Sequence, residues 1–139
     1  MRIAICDDEK SMGQILEEKV KKLLPDAVVE KYLSGDDLIS SGFKPDILFM
    51  DIQMPGKDGM ETARIVRRNN KDMILIFVTA VDEYVFQAFD VGAFHYLVKP
   101  FLDDKFDEGL VFLKSVERGK CFIEYTVGTL FLRSRSPVH

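Results

Sequence analysis

The 139-residue sequence predicts an α/β fold, a parallel sheet of five strands doubly wound by helices. Three observations carry this expectation. Four short runs are apolar almost without a break, and each ends abruptly in a polar residue. Between them lie stretches whose apolar residues recur at helical spacing. The two patterns alternate strictly, as a series of right-handed strand–helix–strand crossovers requires.

The first run, Ile3-Ala4-Ile5-Cys6, stops at Asp7-Asp8-Glu9. A helix follows on Met12, Ile15, Leu16, Lys19, Val20 and Leu23, with Ser11 as its expected cap and Pro25 as its stop. Val28-Val29-Glu30-Lys31-Tyr32 is more polar and is expected at a sheet edge. A short helix then runs from Asp36 to Ser41, entered from Ser34-Gly35. Ile47-Leu48-Phe49-Met50 ends in Asp51. The third helix follows Gly59 on Met60, Ala63 and Val66, with Arg64, Arg67 and Arg68 on its outer face. Met73 to Val78 ends in Thr79, and a helix from Asp82 to Val91 closes at Gly92. Tyr96-Leu97-Val98 ends in Lys99-Pro100. The last helix is expected from Leu102 to Arg118, with Asp103 and Asp104 near its start, where the helix dipole favours acid. Continuous apolarity in the strands means that helices cover both of their faces.

Composition narrows the function classes. Hydrophobic residues make up 47% and charged residues 30%, as in a globular domain. A net charge of −4 argues against binding nucleic acid through bulk electrostatics. The longest apolar run is too short to cross a bilayer, so no membrane partner is expected. Met1 leads directly into a strand, and no cleavable signal is visible. Two cysteines are too few for a disulfide framework and fit a reduced, cytoplasmic setting. Cys6, inside an apolar run, reads as a buried inert thiol. The chain divides near Gly119, giving a domain over 1–118 and a tail over 119–139. The tail has hairpin character around Val127-Gly128-Thr129. A lone hairpin is marginal in water. The tail therefore reads as a linker with the truncated start of a further domain, or as an appended remnant.

In a doubly wound sheet, ligands bind outside the carboxyl ends of the strands. That rule gathers Asp7, Asp8, Asp51, Thr79 and Lys99. Three carboxylates brought together repel, and a divalent cation relieves them; an all-oxygen set suits Mg2+. Such an ion beside a free carboxylate oxygen draws in phosphoryl oxygens and neutralises charge during transfer. Lys99 then offers a point charge and Thr79 a hydroxyl donor. Carboxylates do form aspartyl-phosphate intermediates. Each residue alone has a plainer reading: the aspartates as caps, Thr79 as a loop hydroxyl, Lys99 as a surface charge. Only their joint placement at four strand ends carries the chemistry.

Asp7-Asp8, Asp51-Ile52-Gln53-Met54-Pro55-Gly56-Lys57-Asp58-Gly59, Thr79-Ala80 and Tyr96-Leu97-Val98-Lys99-Pro100-Phe101 together resemble the response-regulator receiver domain, over residues 1 to about 118. The resemblance implies a flavodoxin-like receiver fold with strand order 2-1-3-4-5. It implies that Asp51 is the phosphoacceptor, served by a sensor histidine kinase. Mg2+ would be held by Asp8 directly, Asp7 through water, Asp51, and the Gln53 carbonyl. Ala80 would leave room for the phosphoryl group, Lys99 would bind it, and Pro100 would follow a cis bond. Thr79 and Tyr96 would be the switch pair, the ring turning from outward to inward. Catalysis would extend no further than self-phosphorylation and self-dephosphorylation.

The stretch from Asp82 to Tyr96 is similar to receivers joined to a LytTR-type DNA-binding domain, and Phe122 to Leu132 to that domain's opening strands. DNA binding would then belong to a longer chain. Ala88, Val91 and part of Phe86 meet the core demand of the fourth helix, leaving Val85 and Phe89 surplus. Phe106, Leu110 and Leu113 do the same for the fifth, leaving Phe112 and Val116. These four mark an expected homodimer face that tightens on phosphorylation. His95 is expected to be solvated or hydrogen-bonded, with no catalytic part. Two rivals share the fold class: a flavodoxin-like flavin carrier and an aspartyl phosphohydrolase. The first needs a phosphate loop where Asp7-Asp8-Glu9 stands, the second an Asp where Gln53 stands.

Overall fold

β1 (Arg2–Cys6) lies between β2 (Val28–Tyr32) and β3 (Ile47–Met50), and β4 (Ile74–Thr79) and β5 (Ala93–Val98) follow beyond β3. All four pairings among these strands are parallel, giving the expected order β2-β1-β3-β4-β5. Helices α1 (Lys10–Leu23), α2 (Gly35–Ser41), α3 (Gly59–Asn69) and α4 (Val85–Asp90) alternate with them. The structure, a computed structural model, describes residues 1–99, residue 107 and, as backbone, residues 122–126 and 129–133. Pro100 and, apart from residue 107, the expected fifth helix with Phe112 and Val116 lie outside the described residues.

Strand alternation sorts the apolar runs into two cores. Ala4, Cys6, Leu48, Met50, Leu75, Phe77 and Tyr96 face one side, where Leu38 of α2, Met60 and Ala63 of α3 and Ala88 of α4 meet them. Ile3, Ile5, Ile47, Phe49, Ile76, Val78 and Leu97 face the other, against Leu16 and Val20 of α1. Both faces are covered, which is why the runs are continuous. β2 is half solvated and stands at the edge, as its polarity predicts.

Local details differ from expectation in four places. α1 begins at Lys10 with Glu9 at its cap, so Ser11 lies inside the helix. The Glu9 carbonyl already accepts from the Met12 and Gly13 amides. Ile15 is exposed, and Gly13 shares the inward stripe with Leu16 and Val20. α4 starts at Val85, three residues later than expected. Phe86, about 200° around the helix from buried Ala88, is 84% exposed, while Val85 and Phe89 pack against the core and are not surplus to it. Arg67 is no outward charge either. Its guanidinium donates to the carbonyls of Met73 (2.5 Å), Val91 (3.1 Å) and Gly92 (3.1 Å), tying the loops before β4 and β5 to the end of α3.

The tail adds two strands. β6 (Phe122–Thr126) and β7 (Thr129–Arg133) form the expected antiparallel hairpin, and β7 pairs antiparallel with β5. The hairpin is therefore not alone; it extends the sheet to seven strands.

Ser34 caps α2 by accepting from the Asp37 amide (3.1 Å), and Asp58 caps α3 by accepting from the Glu61 amide (2.8 Å). Directly after Asp58, the Gly59 amide donates to the Ile52 carbonyl at 2.8 Å, pressing the start of α3 onto the loop after β3. A Cβ at Gly59 would overlap the Asp51 carbonyl oxygen. That contact is to backbone, so one side or the other must move. Gly59→Ala should cost about 1–3 kcal/mol, the usual range for overpacking, and should shift Asp51. Chemical denaturation with amide shifts at Asp51 and Ile52 checks both; an unchanged midpoint and unmoved shifts would refute the constraint.

Candidate functional site

β1 and β3 are neighbours, so Asp7 and Asp51, the residues just past them, arrive side by side. The chain fixes both by backbone. The Asp7 amide donates to the Tyr32 carbonyl and the Asp51 amide to the Cys6 carbonyl, each at 3.0 Å. Asp7 Oδ1 accepts from the Glu9 amide (2.9 Å), and Asp51 Oδ1 from the Gln53 amide (3.3 Å). Asp7 and Asp51 are buried, at 2% and 6% exposure, whereas Asp8 faces solvent. One oxygen from each of the three carboxylates lies within 4.8 Å of the others.

Lys99 comes to this cluster from the end of β5, its own amide donating to the Thr79 carbonyl at 2.8 Å. Its Nζ donates to Asp7 Oδ2 (2.9 Å) and Asp51 Oδ2 (3.1 Å), with Glu9 Oε1 at 3.5 Å. Burial alone would drive the ammonium to release its proton. The Asp7 and Asp51 carboxylates outweigh that, and the Lys99 pKa ends above its ordinary value. Asp7 is pushed up as well, first by burial. The Glu9 amide and Lys99 oppose that rise, and the Asp51 charge adds to it. The two directions are compatible because one cation is divided between two carboxylates: Lys99 is held firmly, and Asp7 receives too little of it to offset burial.

Two unit charges 4.8 Å apart repel by about 3 kcal/mol at an effective dielectric near ~20. Water screens the share of exposed Asp8. The three clustered carboxylates outnumber the one ammonium, which Glu9 also approaches, and a divalent cation relieves that excess of negative charge. Hard oxygen donors at this spacing, one of them open to solvent, fit Mg2+ with part of its hydration retained. The residues that could hold it are Asp7, Asp8 and Asp51, with exposed Gln53 two residues beyond Asp51.

The remaining expected residues surround this centre. Thr79 is buried, and its Oγ1 accepts from the Val81 amide at 3.4 Å. Ala80 beside it is exposed. Tyr96 does not point outward: it is wholly buried, its ring centroid 5.9 Å from that of Phe77, and its hydroxyl donates to the Val81 carbonyl at 2.6 Å. Burial pushes its pKa up to about 12. The inward position is held by that hydroxyl's partner on the loop after β4. His95 is buried and not solvated. Cys6 is buried, its thiol pushed up to about 12 by burial and then by Asp7 and Asp51, which keeps it protonated and inert as expected. Sequence reasoning missed two participants: Glu9, signalled by its place after Asp7-Asp8, and the Val81 carbonyl, which no side chain signals.

Comparison with known proteins fits this centre. The family model described as "Response regulator receiver domain" matches residues 3–110. The Sensory transduction protein LytT of Bacillus subtilis is 31% identical over 124 residues, 85% of this chain and 50% of its own. The Positive alginate biosynthesis regulatory protein of Pseudomonas aeruginosa is 36% identical over 113 residues, 79% of this chain and 46% of its own. The chain spans about half the length of the curated relatives it matches. Among solved structures, the response regulator TrrA of Thermotoga maritima in complex with Mg2+–BeF superposes with a TM-score of 0.70 at 28% identity, covering 81% of this chain and 97% of that one. The structure named BeF3 Activated DrrB Receiver Domain superposes at 0.69 with 26% identity, covering 79% and 97%. With the sheet order, the strand-end acids and the family match all in agreement, the chain belongs to the response regulator receiver domain family.

Proposed function

We propose that Asp51 accepts a phosphoryl group from a sensor histidine kinase, in a reaction that uses Mg2+ held by Asp7, Asp8, Asp51 and the Gln53 carbonyl. The observation that carries this reading is the Lys99 ammonium shared by two buried carboxylates, with the third open to solvent. Complexes of TrrA with Mg2+–BeF and of activated DrrB with BeF3 support it, since beryllofluoride mimics a phosphoryl group on a carboxylate. When bound, Mg2+ supplies charge neutralisation for the transferring oxygens.

The chain's own residues account for the rest. An Asp51 oxygen forms the new bond to phosphorus as the donor's phosphorus–nitrogen bond breaks, and the donor imidazole keeps the electron pair. Lys99, already at 3.1 Å from Asp51, passes from that carboxylate to a phosphoryl oxygen. The Thr79 oxygen accepts from Val81, so its hydroxyl hydrogen can be given to a second phosphoryl oxygen. Ala80 leaves the approach open. Tyr96, tied to the Val81 carbonyl, senses the loop that Thr79 moves.

The same reading gives the signal an outlet: a DNA-binding output in a longer parent chain, for which the chain's spanning about half the length of LytT and the alginate regulator leaves room, and phosphorylation-dependent pairing across α4 and β5. Exposed Phe86 takes the part in that face first given to Phe89. Val85 keeps only a rim contribution.

Three outcomes are expected. Treatment with acetyl phosphate and Mg2+ should add one phosphoryl mass to the wild type and none to Asp51→Asn, read by intact mass spectrometry; equal labelling of both would move the acceptor elsewhere. Mg2+ should raise the melting temperature, since it binds the folded state preferentially, and Asp8→Asn should lose most of that gain; a melting curve indifferent to Mg2+ would remove the metal site. Beryllofluoride with Mg2+ should increase the sedimentation coefficient of the wild type but not of Phe86→Asp, and identical association in the two proteins would clear α4 of any part in pairing.

A further inference from the structure

Gly13 lies inside α1 on the stripe that faces the sheet, with Leu16 and Val20. Glycine is unfavourable in a helix interior, so it stands there for a reason of conformation or of space. Neither usual reason holds. Positive φ belongs to Gly42, Gly56 and Gly92, not to Gly13. A Cβ at Gly13 would meet nothing nearer than Lys31 Cδ at 3.6 Å, an ordinary van der Waals contact. What the missing side chain leaves is a recess of about 330 Å³ between α1 and the β1–β2 side of the sheet. Ile5 of β1 forms part of its wall, with Tyr32 and Leu33 at the end of β2. Lys10 borders it from α1 and Lys31 from β2, the Lys31 ammonium held by Glu17 Oε1 at 2.7 Å. Asp7 completes the lining. That carboxylate also accepts from Lys99 and lies within 4.8 Å of oxygens on Asp8 and Asp51. The recess therefore adjoins the strand-end acids through a shared residue. A mostly apolar concavity with a few polar groups, near the small end of the usual range, is the form of a small-molecule site.

We propose that this recess is the subsite for the organic tail of a small phosphodonor, an acyl phosphate with an apolar chain. The inference rests on the phosphoacceptor reading above and adds a class of donor that needs no partner protein. Such a molecule divides between the two compartments. Its phosphoryl group goes to Asp51 and Lys99, and its tail passes Asp7 to lie against Ile5, Tyr32 and Leu33. An Asp51 oxygen forms its bond to phosphorus as the bond from phosphorus to the acyl oxygen breaks, and the departing carboxylate keeps the electron pair. Lys10, exposed at the recess, meets that new charge with its ammonium. Glycine at position 13 is then explained: any larger side chain would occupy the space the tail takes.

The test compares three donors on the whole 139-residue chain at saturating Mg2+: phosphoramidate, which has no tail, acetyl phosphate and butyryl phosphate. Labelling is followed by intact mass spectrometry against Asp51→Asn, and KM is taken for each donor. Wild type should take butyryl phosphate with a KM about tenfold below that of acetyl phosphate, the effect of burying two more methylenes. Gly13→Leu should bring the two KM values together and leave phosphoramidate labelling at the wild-type rate. Leu33→Asp, a change at a side chain already 44% exposed, should do the same and serves if Gly13→Leu does not fold. Gly13→Ala should raise the melting temperature and lower the preference only in part. Equal KM values for the two acyl phosphates in wild type would overturn the subsite, as would a preference that survives both Gly13→Leu and Leu33→Asp. A loss of phosphoramidate labelling in both variants would overturn it too, by making their effect one on the phosphoacceptor centre. Wild type that takes label from none of the three donors would overturn the phosphoacceptor reading itself, whereas labelling by all three without regard to tail would leave that reading intact and remove only the subsite.

Discussion

One ammonium stands between two buried carboxylates, and much of the chain is arranged around that shortage of positive charge. Lys99 is separated from Asp7 by 92 positions and from Asp51 by 48, yet its Nζ reaches both within 3.1 Å. Only the parallel sheet makes this possible. β1, β3 and β4 are consecutive neighbours, β5 adjoins β4, and these four strands run toward the same end. Residues that finish these strands therefore finish in the same place. The apolar runs that build the sheet and the polar residues that stop them are two parts of one design: burial fixes the strands, and their ends inherit the position.

Like charges held this close would push the loops apart unless the backbone restrained them. Each aspartate is accordingly tied through its own amide to a carbonyl on a neighbouring strand, Asp7 to Tyr32 and Asp51 to Cys6. Gly59 lets α3 sit directly on the loop after β3, where any side chain would strike the Asp51 carbonyl. Arg67 gathers the carbonyls of the turns leading to β4 and β5, the strands that deliver Thr79 and Lys99. A charged donor satisfying several buried carbonyls contributes more than a surface ion pair. The stability cost of an uncompensated acid cluster is thus met by backbone and guanidinium bonds at its margins.

Most of this was legible in the sequence, for a physical reason. Continuous apolar runs ending in Asp, Thr or Lys report both the layer a strand occupies and the end at which ligands bind, so the five strands and the group Asp7, Asp8, Asp51, Thr79 and Lys99 followed from pattern alone. What failed was the width assigned to a helix's inward face. In α4 Ala88 and Val91 are buried as expected, but Phe86 lies about 200° around the helix from Ala88 and faces out, while Val85 and Phe89 flank the inward stripe and pack against the core. Arg67 read as a solvated charge because carbonyl acceptors leave no mark in a sequence. The inward Tyr96 was hidden for the same reason: its partner is the Val81 backbone, and any residue at 81 would offer that carbonyl.

That last contact shows how the site reaches beyond itself. Thr79 and Val81 lie on one short loop, and the loop holds both the hydroxyl that can meet a phosphoryl group and the carbonyl that holds the Tyr96 ring. The ring, the carbonyl and the hydroxyl are therefore coupled: displacing the loop after β4 disturbs the Tyr96 contact, and with it β5, the strand that carries the ring. β5 also pairs directly with β4, Phe77 opposite Tyr96, so the strand that ends at the site reaches the ring by two routes, through the loop and through the ladder.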